Sequence, residues 1–414
     1  MTTGYLYHQL KHDPDKLKTY THIVLDEVHE CSVEMEMLLL LLRELTIRNF
    51  ADDNLRFFVM SATLQNNYFP AYFKAVNPTG ATPHSHVIPE TIRHEVKQYW
   101  LDDFIKANYE HMDLKRCGGK VNSQGGNVEI ILDQANDKTG DIERVARQVA
   151  FEPEDSKKLM KIAEKMNQSM QDQDAADVHL GLKDLVLWCI ENMTTAGQTA
   201  LVFLPGVHEI VAMQEILVDW KSSSGKTLNV MVLHRLIPLY DQKLVARDAD
   251  ADKVNVILAT NVAESSVTLG SKLSLIIDYG LQKRNTFSYE RRVDTLGTGW
   301  ASQAACIQRA GRTGRTCSGN VVRLMKRDFF EHLVAYDAPE VHQTNLDSLY
   351  LHVRDMSNYA FRTKDFKKDD DGAEKMERFG KQSVTTKELL QNMAHPLSED
   401  QIEETILGLY LGGC

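Results

Sequence analysis

Tyr20-Thr21-His22-Ile23-Val24-Leu25-Asp26-Glu27-Val28-His29-Glu30 is the stretch on which the fold turns. Ile23, Val24 and Leu25 form a short β-branched and apolar run that ends on two carboxylates. Such a run predicts a buried parallel strand that delivers charge to a crevice at its carboxyl end. Adjacent carboxylates there suit a divalent metal and the handling of water. In nucleoside-triphosphate hydrolysis one acid holds Mg²⁺ while a neighbour orients the attacking water. A solvated strand end has the same local sequence, so the reading depends on the flanking segments.

After the carboxylates, residues 32–49 are rich in Leu, Met and Glu, with Met35, Leu38, Leu39 and Leu42 at helical spacing, which predicts a helix with a core-facing stripe. A second strand is expected at Leu55-Arg56-Phe57-Phe58-Val59-Met60, followed directly by Ser61-Ala62-Thr63. If the two strands are parallel neighbours, the Ser61 and Thr63 hydroxyls share the crevice of Asp26 and Glu27. Helix capping is the competing role for both. Ahead of the first strand, Thr2-Thr3-Gly4 reads as a polar turn whose hydroxyls and amides can bind phosphate oxygens.

Composition narrows the class. At 414 residues and 43% hydrophobic content the chain is long enough for two or three domains with sizeable cores. No apolar run reaches membrane-spanning length, and residues 1–5 carry neither a basic leader nor a signal core, so a cytoplasmic or nuclear location is expected. Six cysteines without a Cys-x-x-Cys pair argue against a zinc ribbon or a disulfide framework. The net charge of −11 runs against nucleic-acid binding, unless local charge overrules it.

Pro, Thr, His and Asn dominate residues 70–95, and residues 106–177 hold glycine pairs, polar runs and one charged helical segment over 142–170; both read as connection or insertion. His84, His86 and His94 lack metal-ligand spacing and read as loop histidines. Strands are then predicted at 199–204, 228–233, 254–259 and 274–277, with a helix over 207–220, an alternation that argues a parallel helix-flanked sheet. Gly225-Lys226-Thr227 is a decoy: the position five before Gly225 is Trp220, and the segment follows a helix rather than a strand, so a flexible loop is expected. Nowhere does the sequence contain a complete Gly-x-x-x-x-Gly-Lys-Ser/Thr.

Further on, Lys283, Arg284, Tyr289, Arg291 and Arg292 alternate basic and aromatic groups over an expected hairpin, which suits base stacking and phosphate neutralisation. The octet Gln308-Arg309-Ala310-Gly311-Arg312-Thr313-Gly314-Arg315 is the most specific signal. Its glycines permit close backbone approach, and guanidiniums three residues apart on one helical face can hold one phosphate. A basic RNA-binding loop is the alternative. Beyond residue 340, helices are expected over 346–353, 385–393 and 399–410, with a charged loop over 364–371.

Taken together these segments resemble the DEAH-type (DExH) helicases of superfamily 2. Asp26-Glu27-Val28-His29 is similar to motif II, Ser61-Ala62-Thr63 to motif III, Thr260-Asn261-Val262-Ala263-Glu264-Ser265 to motif V, and 308–315 to motif VI. Met1-Thr2-Thr3-Gly4 matches motif Ib. Within the family, the form of residues 20–29 is most similar to the spindle-E-like helicases, without a visible Tudor domain. Departures are Cys31 for the usual Arg, Arg235 for a usual Ser, and the missing motifs I and Ia, which imply an amino-terminally truncated core.

The resemblance implies an α/β fold of two RecA-like parallel-sheet domains, the first incomplete, followed by a winged-helix domain. Domain limits follow as 1–95 for the end of the first RecA-like domain, 96–180 for connection and insertion, 181–340 for the second, and 341–414 for the winged-helix region. The implied activity is ATP-dependent RNA unwinding or ribonucleoprotein remodelling, with closure of the two domains on ATP and Mg²⁺. Asp26 and Glu27 would hold the metal largely through water, with Glu27 polarising the attacking water. Gln308, Arg312 and Arg315 would contact water or the γ-phosphate, and His29, Ser61 and Thr63 would couple that site to RNA. Nucleic-acid contacts are implied at Thr2, Thr3, Gly4, Thr260, Asn261, Glu264, Ser265 and Arg309. Expected partners are single-stranded RNA, gripped through its backbone, and ribonucleoprotein components or an activator. The rival reading is a catalytically silent RNA-binding scaffold of helicase shape; a DNA helicase shares the same motifs.

Overall fold

The computed structural model describes residues 1–47, 54–62, 68–76, 82–88, 93–105, 182–264, 267–289, 291–359, 366–368, 374–376 and 385–412. The whole expected insertion over 106–177, with its charged helical segment, lies outside them. Two compact units form. One comprises Met1–Pro89, Asn285–Thr295 and Ala338–Cys414, the other Glu90–Arg284 and Leu296–Asp337.

In the first unit β1 (His22–Leu25) pairs in parallel with β2 (Arg56–Val59), Ile23 opposite Phe57 and Leu25 opposite Val59. Ile23 and Leu25 are buried while His22 and Val24 are exposed, so the pleat of the strand turns only one face to the core, and the fully buried strand expected from the apolar run is buried on one side alone. The core-facing partner is helix Val33–Ile47, in which Leu38 through Leu42 are all buried. Burial of five consecutive leucines means that this helix is enclosed on all sides, beyond the one-sided stripe read from the sequence. Its neighbours in the cluster are Leu6 and Leu10 from the first helix, and Val353, Leu389 and Ile402 from the carboxyl-terminal helices. Each such side chain contributes about 1.5–3 kcal/mol by leaving water. Those carboxyl-terminal helices are Asp347–Tyr359, Thr386–Gln391 and Glu399–Leu411, the latter two opened by capping boxes at Thr385 and Ser398.

Two expectations need correction here. Thr2-Thr3-Gly4 is not a turn: Thr2 Oγ1 accepts from the Tyr5 amide at 3.3 Å and caps helix Thr3–His12. A β-carbon on Gly4 would lie 3.2 Å from Glu34 Oε2, so this glycine serves close helix packing. Within the charged segment 364–371, Phe366–Lys368 is a short strand, β11, antiparallel to β12 (Glu374–Met376), rather than loop.

The second unit is built on six strands: β3 (Val96–Trp100), β4 (Thr199–Phe203), β5 (Thr227–Leu233), β6 (Lys253–Ala259), β7 (Leu273–Asp278) and β10 (Gly319–Arg323). Their order is β3-β10-β7-β4-β6-β5, with every pair parallel. β4, β6 and β7 are buried along almost their whole length, as sequences apolar on both faces require. β3 was unexpected: Val96-Lys97-Gln98-Tyr99-Trp100 carries two polar residues, which an edge position tolerates. A hairpin of β8 (Leu281–Ser288) and β9 (Val293–Trp300) precedes helix Gln303–Ala310. The chain visits β5 and β6 on one side of β4 and β7 and β10 on the other, which makes the carboxyl ends of β4 and β7 a topological switch point.

Candidate functional site

An acidic cluster lies in the first unit. Asp26 is exposed at the end of β1, and its Oδ1 accepts the Glu27 amide at 2.9 Å. Glu27 has φ 54°, a left-handed conformation that costs a non-glycine residue about 1–3 kcal/mol and marks a backbone held by its surroundings. The restraint comes from β2. Met60 donates to the Leu25 carbonyl at 2.8 Å, and Val28 donates to the Met60 carbonyl at 3.2 Å. His29, with its side chain 8% exposed, accepts the Ala62 amide on Nδ1 at 3.3 Å and sets Nε2 3.5 Å from Glu27 Oε2. The ring thus joins the Glu27 carboxylate to the Ser61-Ala62 strand end. Ser61 is exposed there, and Thr63 lies outside the described residues. Exposed oxygen donors of this kind suit Mg²⁺, which keeps several waters and takes one or two carboxylates. Among the described residues no group of three or more His, Cys, Asp or Glu is arranged to hold a metal by itself.

A basic cluster lies in the second unit, and its geometry corrects the sequence reading. Helix Gln303–Ala310, capped by Ser302, stops before Gly311, so Arg312 and Arg315 leave it on the following turns rather than sharing a helical face. Arg312 is half-buried; it donates to the Val267 carbonyl at 3.3 Å and to the Glu264 carbonyl. Arg315 is exposed, with Nε donating to the Gly311 carbonyl at 3.0 Å. Gly314 has φ 77°, and a β-carbon there would come within 2.4 Å of Val96 Cγ2. Arg312, Arg315, Thr268, Ser271 and Thr316 line a cavity of about 560 Å³. Gln308 is half-buried on the same helix.

Arg309 is the largest departure. Expected as a nucleic-acid contact, it is 1% exposed, with Nη1 2.8 Å from Asp278 Oδ1 and Nε 2.7 Å from Glu264 Oε1. Glu264 is also largely withdrawn, its side chain 14% exposed. A buried guanidinium needs paired carboxylates, and these two supply them. Burial pushes the Asp278 carboxyl up, but Arg309 and Arg323 outweigh it and hold the group below the usual range. Burial works against the charged Arg309, and Asp278 and Glu264 keep it above its ordinary value. For Glu264, burial raises the carboxyl against the pull of Arg309. Sequence reasoning passed over Asp278 as a site residue and Arg323 altogether. The signal was a single charge closing each apolar strand.

Thr260 is 9% exposed and Asn261 exposed, at the carboxyl end of β6, while Ser265 lies outside the described residues. The hairpin cations are largely engaged: Lys283 with Glu209 at 3.0 Å, Arg284 with Asp337 at 2.6 Å, and Arg292 with Asp347 at 2.6 Å. Gly225-Lys226-Thr227 is no flexible loop. Lys226 Nζ donates to the Thr194 carbonyl at 2.6 Å and to the Glu191 carbonyl, while Glu191 Oε1 takes the Ser224 amide at 2.8 Å. That lysine caps the end of helix Lys183–Met193 and is spent there.

Comparison with known proteins bears directly on this arrangement. Residues 181–317 match the helicase conserved C-terminal domain. The probable ATP-dependent RNA helicase spindle-E of Aedes aegypti is 30% identical over 365 residues, which are 84% of this chain and 22% of that protein. Human ATP-dependent RNA helicase DHX30 is 28% identical over 353 residues, 85% of this chain and 24% of that protein. The crystal structure of Escherichia coli DEAH/RHA helicase HrpB aligns with a TM-score of 0.58 at 20% identity, over 98% of this chain and 37% of that one. The large parallel sheet is thus a RecA-like helicase fold. More particularly, the chain is a relative of the DExH/DEAH-box helicases of superfamily 2. It spans less than a quarter of the length of these two curated relatives. Among the described residues no helix is long and apolar enough to cross a membrane.

Proposed function

We propose that this chain is core machinery of an ATP-dependent RNA helicase. The observation that carries the reading is the His29 ring, which joins Glu27 to the Ser61-Ala62 strand end. An acid poised for water, tied to a neighbouring strand end, is what coupling hydrolysis to a second ligand requires. On this reading Asp26 holds Mg²⁺ and Glu27 aligns the attacking water. Arg312 and Arg315, with Gln308, answer the charge that develops on the γ-phosphate. The metal neutralises phosphate charge when bound; orienting the water and holding the arginines fall to the protein. RNA is the preferred strand because both quoted relatives are named RNA helicases. Contacts at Thr2, Thr3, Gly4, Thr260, Asn261 and Ser265 would run along its backbone, which gives steep salt dependence and little sequence preference. Residues 1–95 and 181–340 serve as parts of two RecA-like domains and 341–414 as a winged-helix region, in a cytoplasmic or nuclear protein.

One observation favours a second reading, a silent RNA-binding scaffold: the only Gly-Lys-Thr of the sequence has its lysine committed to helix carbonyls. ATP hydrolysis with and without single-stranded RNA separates the two. RNA-stimulated turnover supports the helicase; salt-sensitive RNA binding without turnover supports the scaffold; neither property removes both.

A further inference from the structure

The buried charges of the large sheet form a chain that ends on Arg312. Arg323 closes β10, is 2% exposed, and donates through Nη1 to Asp278 Oδ2 at 3.4 Å and to the Cys306 carbonyl at 3.1 Å. Its guanidinium lies over Trp100 and Phe330, 5.3 and 5.0 Å from the ring centres. Asp278 closes the adjacent strand β7, is wholly buried, and receives Arg309 at 2.8 Å. Arg309 turns its Nε to Glu264 at 2.7 Å, and the Glu264 main-chain carbonyl accepts from Arg312.

Two guanidiniums and two carboxylates are balanced in charge, yet taking them out of water is costly, and apolar side chains of like volume often stabilise a core as well. Geometry is what the ions add. A guanidinium is a planar fork, and two carboxylates that engage different edges fix its plane. Arg309 is held in this way, and Asp278, which holds it, is itself gripped by Arg323. The carboxyl ends of β4 and β7, where doubly wound sheets take ligands, are occupied by these charges; Arg309 lies 5.1 Å from the ring centre of Phe203, the last residue of β4.

We propose that Arg323, which lies outside all the helicase-like motifs, is a positioning residue that sets the orientation of Arg312 through Asp278, Arg309 and Glu264. The inference rests on the reading of Arg312 as the phosphate-directed arginine. Without Arg323, Asp278 keeps only its Oδ1 contacts, to Arg309 and the Gly280 amide, its Oδ2 is released, and Arg309 shifts with the carboxylate. Glu264 then loses its partner, and the carbonyl that fixes Arg312 moves with it. Each link is a direct contact, so the coupling has a physical path.

Phenylglyoxal labelling of Arg312 in the full chain, read by peptide mass spectrometry with exposed Arg315 as internal reference, tests this without requiring activity. Arg323→Met is expected to raise Arg312 labelling at least ~3-fold, as for members of one hydrogen-bond and salt-bridge network. Val322→Ala, adjacent on β10 and outside the relay, controls for plain destabilisation. Arg323→Lys keeps the charge, replaces Arg323→Met should that variant not fold, and is expected to fall between it and wild type. Unchanged Arg312 labelling in folded Arg323→Met or Arg323→Lys, or an equal rise in Val322→Ala, overturns the proposal. Where wild type hydrolyses ATP, Arg323→Met is further expected to lower kcat by ~10-fold with little change in KM, the mark of an interaction made in the transition state. A wild type without turnover counts against the helicase reading and leaves the labelling result to judge the relay.

Discussion

The main-chain N–H of Ala62 donates to Nδ1 of His29 at 3.3 Å, and Nε2 of the same ring lies 3.5 Å from a Glu27 carboxylate oxygen. One imidazole therefore touches both the residue expected to align water and the segment expected to sense RNA. His29→Ala cuts this link. RNA stimulation of ATP turnover is expected to fall by about 10-fold, more than the RNA-free rate falls. Steady-state rates with and without single-stranded RNA check it, and an unchanged stimulation factor contradicts the coupling role.

Gly314 combines φ 77° with a place 2.4 Å from Val96 Cγ2 for any added β-carbon. Gly314→Ala is expected to cost about 1–3 kcal/mol from backbone strain and overpacking. Val96→Ala removes the collision but not the strain. The double variant should then be less destabilised than the two single changes summed, as measured by urea unfolding. Strict additivity would mean that the collision relaxes by itself.

Asp278 has a carboxyl held below the ordinary range by Arg309 and Arg323 against the effect of burial. The stabilisation that it provides is therefore complete above the unfolded value of about 3.9 and is lost as pH falls through the lower folded value. Asp278→Asn leaves two buried guanidiniums short of a carboxylate and is expected to cost about 3–5 kcal/mol at neutral pH. The gap between wild type and variant should stay constant down to about pH 5 and narrow only in stronger acid. Unfolding curves across pH check this, and a gap that closes near neutrality contradicts the assignment.

The strands and sheet core were legible because their signals are local. The runs that became β4, β6 and β7 are apolar and β-branched over a strand's length, and burial followed, whereas in the equally apolar Ile23-Val24-Leu25 only Ile23 and Leu25 are buried and Val24 is exposed. Thr2-Thr3-Gly4 misled because Thr caps helices and also favours turns; the choice is made by the Tyr5 amide and by Glu34 on another helix. Arg309, Arg312 and Arg315 look alike in sequence as three basic residues of one octet. Which of them is buried is decided by Asp278 and Glu264, 31 and 45 positions away, and no local pattern carries that distance. The hairpin cations were read as suited to phosphate neutralisation for the same reason: Asp337 and Asp347, which engage Arg284 and Arg292, lie over fifty positions further on.

The central claim is that Glu27 acts on water during RNA-coupled ATP hydrolysis, and the most direct test is the turnover of Glu27→Gln beside wild type in saturating single-stranded RNA. The substitution keeps size and hydrogen-bonding capacity but removes the charge that polarises water. The account predicts measurable wild-type turnover and a loss of about 10²-fold or more in the variant, with RNA binding retained. Equal turnover in the two proteins would contradict it.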